Sequence, residues 1–167
     1  MTLLTVGAGL LTSVGSSSAA VTGVKGSAFG YEAQISLFGG VQPHDGPSPT
    51  VTLVPPGSAT AVTATAPSGI VKHGPANFFT SDALDVSTQG TTGPSGSVTS
   101  SSNVKNVNRA TTQPSATGSE IFSADNVHST CTTSATTGAV SGSATFTNAT
   151  LQTESGIDGN PSHPRVE

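Results

Sequence analysis

Ala28–Gly40 reads AFGYEAQISLFGG, and its alternation sets the fold class. Phe29, Tyr31, Ala33, Ile35 and Leu37 fall on one side of an extended chain; Gly30, Glu32, Gln34 and Ser36 fall on the other. A side-chain period of two is the pattern of a half-buried antiparallel strand. The expectation is therefore a strand with its odd-numbered residues inward, ended by Gly39-Gly40.

Working outward, VQPHDGPSP (Val41–Pro49) carries three turn signals in nine residues and reads as a loop. TVTLV follows with Val51 and Leu53 inward, stopped by Pro55-Pro56, since proline cannot donate to a central ladder. AVTATA places Val62 and Ala64 inward before a turn at Pro67-Ser68-Gly69. Further strands are expected at Leu84–Thr88, around Val98, at Phe122–Thr132 and at Ala144–Thr153. The segments between them are rich in Gly, Pro, Ser and Thr.

Composition supports the same class. Only 8% of the 167 residues are charged and the formal net charge is −4. Disorder usually rides on high net charge and few β-branched residues, whereas Thr and Val are abundant here. Good helix formers are scarce, so almost no α-helix is expected. Five basic residues leave no electrostatic footprint for nucleic acid.

A short phrase recurs along the chain. Phe79 precedes Leu84, Phe122 precedes Val127, and Phe146 precedes Leu151, each by five positions. VTSSSNV, starting at Val98, is a weaker copy, and the anchors 79, 98, 122 and 146 are 19, 24 and 24 residues apart. An odd interval changes face on a flat strand, so a bend or bulge is needed to turn both apolar residues inward. In a sandwich the phrase marks a corner between sheets. In a β-solenoid it marks one coil per copy, with a period near 24 residues. The long first strand favours a mostly antiparallel β-sandwich, and the solenoid is the alternative.

Residues 1–20 contain no charge and a mildly apolar run that gives way to Ser18-Ala19-Ala20, the small-residue pattern of a signal-peptidase site before Val21. A leading Lys or Arg is missing, and a first structural strand is the other reading. The interspersed Ser, Thr and Gly leave no stretch of the length a transmembrane helix requires. The domain expectation is residues 1–20 as signal peptide, 21–155 as a single β domain and 156–167 as an unstructured or truncated tail.

Candidate chemistry is sparse. Cys131 is the single cysteine, and its alternation with Val127 and Ser129 places it inward. That suits a buried thiol or one whose disulfide partner lies in a longer chain. His44, His73, His128 and His163 show no ligand spacing to each other or to Cys131. Among nine carboxylates nothing nominates the pair a glycosidase needs. Asp82 and Asp125 stand three residues after their Phe and read as corner-forming side chains. IDGN has too few ligands for a calcium loop, and the Asn148-Ala149-Thr150 sequon reads as chance. With no Trp and one Tyr there is no aromatic platform for a sugar.

GSAFGYEAQISLFGG, PTVTLVPPGSA, ALDVSTQGTTGPSGSVTSSSNV and FSADNVHSTCTTS followed by SGSATFTNATL resemble the choice-of-anchor P family over Gly26 to Thr153. The resemblance implies an exported, β-rich bacterial protein, typically Gram-positive, with a shared domain followed by a varying cell-surface anchor. It brings no catalytic residues. GIDGNPSHPRVE lacks a sorting motif, so a C-terminally truncated fragment is the expectation.

The functional expectation is a non-enzymatic secreted or cell-surface module of structural or adhesion type, without cofactor or metal. A cell-wall or extracellular-matrix component is the partner that goes with it, though no residue names one. The expected structural residues are Cys131, Phe79, Phe122, Phe146, Leu84, Val127 and Leu151. The alternatives are a secreted carbohydrate-active or carbohydrate-binding β protein, marked by a cleft with paired carboxylates, and a cargo-binding barrel, marked by an apolar cavity.

Overall fold

Leu84–Thr91 (β6) is the strand on which the rest is built. Leu84, Val86, Thr88 and Gly90 are buried, while Asp85, Gln89 and Thr91 are exposed. Period two with β-branched residues inward is what a sheet with one covered face selects. The computed structural model describes residues 20–34, 44–73, 76–111, 122–135 and 137–151. The other strands are β1 (Gly26–Gln34), β2 (His44–Leu53), β3 (Ser58–Ala66), β4 (Gly69–His73), β5 (Ala76–Ser81), β7 (Ser97–Val107), β8 (Phe122–Ser134), β9 (Val140–Thr147) and β10 (Thr150–Leu151).

The main sheet runs β3-β6-β7-β8, with β9 and β10 end to end along the far edge of β8. Every pairing is antiparallel, and β1 with β2 and β4 with β5 form two-stranded sheets of their own. The fold is all-β and sandwich-like. Antiparallel pairing throughout is incompatible with stacked solenoid coils, so the alternative architecture falls.

Register assigns each side chain to a face. The core-side rows are Ala66–Leu84–Val104–Val127–Phe146, Ala64–Val86–Ser102–Ser129–Ala144 and Val62–Thr88–Ser100–Cys131–Gly142. Each begins apolar or methyl-bearing at β3 and β6, and the second and third turn to hydroxyls at β7. The β1–β2 layer packs mainly over β3, β6 and part of β7. Two small clusters result: Ala28, Val51 and Val86 between the layers, and Leu84, Val104 and Val107 at one end. The β4–β5 hairpin closes that end through Phe79, whose ring lies 5.0 Å from that of Tyr31.

Three sequence expectations need correction. The loop expected at Val41–Pro49 is strand from His44 onward, pairing Ser48 with Tyr31 and Asp45 with Ala33. Pro47 and Pro49 stand two apart, so their missing donors lie on one edge, and β2 pairs with β1 alone.

The inward face of β1 is reversed at its start, where Ala28 is buried and Phe29 is 46% exposed, whereas Tyr31, expected inward, does pack on the end cluster and Glu32 is exposed. The layers approach so closely that small residues face in. A Cβ on Gly30 would stand 2.8 Å from Leu84 Cδ2, and one on Gly26 would collide with Thr88 Oγ1. Tyr31 is accommodated because the hairpin at Gly69 and Phe79 comes over to cover it. Ile35 and Leu37 lie outside the described residues. Val62 shares the core-side face, but on an edge strand it stays 38% exposed.

The recurring phrase is the third correction. Phe79 and Leu84 straddle a corner, since β5 ends at Ser81 and β6 starts at Leu84, and both pack on the end cluster. Phe122 and Val127 also reach that cluster, although β8 runs between them without interruption. In the neighbouring strand β7, Asn106 takes a positive φ of 52°. Phe146 and Leu151 straddle the break between β9 and β10 but are 56% and 68% exposed. Phe146 meets the Phe122 ring edge-on at 5.8 Å, at the rim of the end cluster, and Leu151 stays exposed.

Candidate functional site

Two features concentrate polar chemistry: a clamp at one end of the sheet and an open groove on the core-side face. The clamp grows from Asn106, Asn108 and Arg109 at the end of β7. Asn106 and Asn108 both adopt positive φ, 52° and 53°, which Asn tolerates better than most residues. That conformation turns their amides across the strand ends.

Asn108 Oδ1 accepts from Thr80 N at 3.0 Å, and its Nδ2 donates to the Phe122 carbonyl at 2.8 Å. Asn108 N also donates to Thr80 O at 2.7 Å. One residue thus ties β5, β7 and β8 together. Asn106 Nδ2 donates to Asp82 Oδ2 at 2.7 Å, and Asp82 also accepts from Thr111 N and Thr111 Oγ1. Asp82 is therefore a corner side chain between β5 and β6.

Arg109 Nη1 reaches Asp125 Oδ1 at 2.8 Å, while its Nε and Nη2 donate to Ser123 Oγ and Thr150 Oγ1. Asn148 Nδ2 donates to the other Asp125 oxygen. The Asn148 amide, and then the Arg109 guanidinium, hold the Asp125 carboxyl below the ordinary carboxylate range. Asp125 lies within β8 and fastens the β9–β10 junction, so it is a strand residue rather than the corner its spacing suggested.

The groove has a volume of about 360 Å³. Its wall is the free edge of β1 at Ser27–Gly30; its floor is the uncovered part of β7 and β8, including Ser102, Val127, Ser129 and Cys131. Among the described residues no carboxylate, imidazole or cation lines it. Cys131, expected inward, does lie on the core-side face, yet it is exposed and has a free thiol. Its row continues beyond the strands that the β1–β2 layer mainly covers, so the alternation was right and the burial was not. Val127, in the same strand, keeps its partial burial because the end cluster covers it.

The remaining titratable groups are dispersed. Glu32 pairs with His44 at 3.0 Å on the surface of the β1–β2 ribbon. The Tyr31 hydroxyl donates to Asp45, and burial together with that carboxylate raises the phenol above its usual range. His128 lies on the opposite face of β8 from Cys131, in register with Asn103. Among the described residues no three His, Cys, Asp or Glu side chains gather as a metal site. His163, Glu120, Glu154 and Asp158 lie outside the described residues, as do residues 1–19 of the signal segment expected at 1–20. Among the described residues no helix is long and apolar enough to cross a membrane.

The outer face carries rows of hydroxyls. Ser87 bonds Ser101 at 2.7 Å, Thr99 bonds Thr132 at 3.1 Å, and Thr130 bonds Ser143 at 2.9 Å. Sequence reasoning missed Arg109 and both asparagines of the clamp. Their signal was Asn-x-Asn at a strand end, two residues that tolerate positive φ placed where a bend must occur. Comparisons with protein-family models, with curated proteins and with solved structures found no match.

Proposed function

We propose that the chain is a non-enzymatic β module of the cell exterior, a structural or adhesion-type scaffold of the choice-of-anchor P kind that its sequence phrases resemble. The observation that carries this reading is where the charge is spent. Arg109 and Asp125 are committed to holding strand ends, and Asp82 to holding a corner. The open surfaces include hydroxyl rows and a groove whose described lining holds no carboxylate, imidazole or cation and a single thiol, that of Cys131. Such a surface suits presentation and contact more than acid–base chemistry, which needs positioned titratable groups.

The start of the fold is compatible with export. Val21 N donates to Gly93 O at 3.1 Å and Val21 O accepts from Gly93 N at 2.8 Å. Cleavage before Val21 would leave an ammonium able to keep the first bond and would leave the second intact. The test is expression from the native start in a Gram-positive host, with mass spectrometry of supernatant and wall fractions. Mature protein beginning at Val21 in those fractions is expected. Protein retained in the cytoplasm and still beginning at Met1 overturns the export reading. Release of reducing ends from a polysaccharide panel overturns the non-enzymatic one.

A further inference from the structure

We infer that β9 is a self-pairing edge, and that a second copy of this chain docks on it to continue the main sheet through a two-fold axis. The inference concerns assembly and does not rest on export. β9 pairs with β8 on one side and, among the described residues, with nothing on the other. All eight of its residues are exposed. Natural edges are usually blunted by charges, prolines, bulges or a covering element. Val140–Thr147, VSGSATFT, contains no charge and no proline, and its register with β8 runs unbroken.

The occupant follows from self-complementarity. Val140, Gly142, Ala144 and Phe146 share the core-side face, opposite Thr133, Cys131, Ser129 and Val127 of β8. Ser141, Ser143, Thr145 and Thr147 share the other. Opposed residues in an antiparallel pair point to the same face, so β9 can meet its own copy only in registers centred on a residue. Centring on Ala144 sets Val140 against Asn148, and centring on Gly142 sets Phe146 against Gly138. Asn148 and Gly138 have φ of 48° and 67° and are not extended.

Centring on Ser143 avoids both. It sets Val140 against Phe146 twice, Gly142 against Ala144, Ser141 against Thr145, and Ser143 against its copy. Val140 and Phe146, 69% and 56% exposed in one chain, then cover each other. Hydroxyl meets hydroxyl on the outer face, as it already does between Thr130 and Ser143. Because this edge is uncharged, two copies of net charge −4 meet without local repulsion. A single-strand contact belongs with the small, transient interfaces below about 1,200 Å², so association is expected to depend on concentration.

The test uses the full chain with Cys131→Ser. Sedimentation velocity from micromolar to near-millimolar concentration is expected to show a monomer–dimer equilibrium. Ser143→Cys should cross-link to itself, because directly opposed Cα atoms lie about 4.5–5.5 Å apart, within disulfide reach. Ser141→Cys or Thr145→Cys alone should cross-link poorly, whereas their mixture should cross-link well. Ser143→Lys, at an exposed site, should abolish the dimer while leaving the circular dichroism unchanged. Three results overturn the inference: monomer at every concentration, a dimer that survives Ser143→Lys, or no Ser143→Cys cross-link. Monomer with β9 amides protected from exchange also overturns it, by showing another part of this chain on the edge.

Discussion

Asn108 offers the sharpest test of how the end of the sheet is held, because three contributions converge on it. Asn108→Ala removes the bond to Thr80 N and the bond to the Phe122 carbonyl, and leaves a residue with a Cβ at φ 53°. Each lost bond costs about 1 kcal/mol, and more where the orphaned backbone group stays out of water. Holding a non-Asn, non-Gly residue in the left-handed region adds about 1 kcal/mol. The expected loss is about 3 kcal/mol, which at a urea slope of about 1.5–2 kcal/mol/M lowers the midpoint by about 1.5–2 M. Asn108→Gly keeps the backbone conformation and loses only the bonds, so it should be the milder variant by about 1 kcal/mol. Equilibrium urea unfolding followed by circular dichroism measures all three proteins. An alanine variant within about 0.5 kcal/mol of the parent, the size of an ordinary surface change, would refute the clamp. A glycine variant less stable than alanine would refute the conformational part.

Asp125 predicts a pH effect. Its carboxyl is held below the unfolded value of about 3.9. The stabilisation is thus present above that value and lost as pH falls through the lower folded one. Asp125→Asn should therefore flatten the acid limb of a stability–pH curve below about pH 4; an unchanged limb would count against the network. Gly30→Ala sets a Cβ 2.8 Å from Leu84 Cδ2, Pro49 Cδ and the Ser48 carbonyl, and an overpacked contact of this kind costs about 1–3 kcal/mol in thermal or urea melts. An alanine variant as stable as the parent would show that the layers are not so closely pressed.

Much of the sheet could be read from residue order. β6 alternates as LDVSTQGT suggests, Val51 and Leu53 face in, and a turn falls at Pro67-Ser68-Gly69. These depend on local pattern, which a strand repeats every two residues. What escaped depends on where the second layer stops. Phe146 and Cys131 have the right parity for a core, but both stay exposed, although Phe146 meets the Phe122 ring edge-on at 5.8 Å. Conversely, Gly26 and Gly30 look like the polar side of β1, yet they face in because the layers meet there with no room for larger groups. The clamp was illegible for a similar reason. Arg109 joins Asp125 and Thr150 across 16 and 41 residues of chain, distances that no local rule spans.

The hydroxyl rows of the outer face have a consequence for the medium the protein can work in. Ser87–Ser101, Thr99–Thr132 and Thr130–Ser143 are neutral pairs. Counter-ions screen charged pairs and leave neutral ones alone. This part of the sheet should therefore hold together equally well in brine and in fresh water.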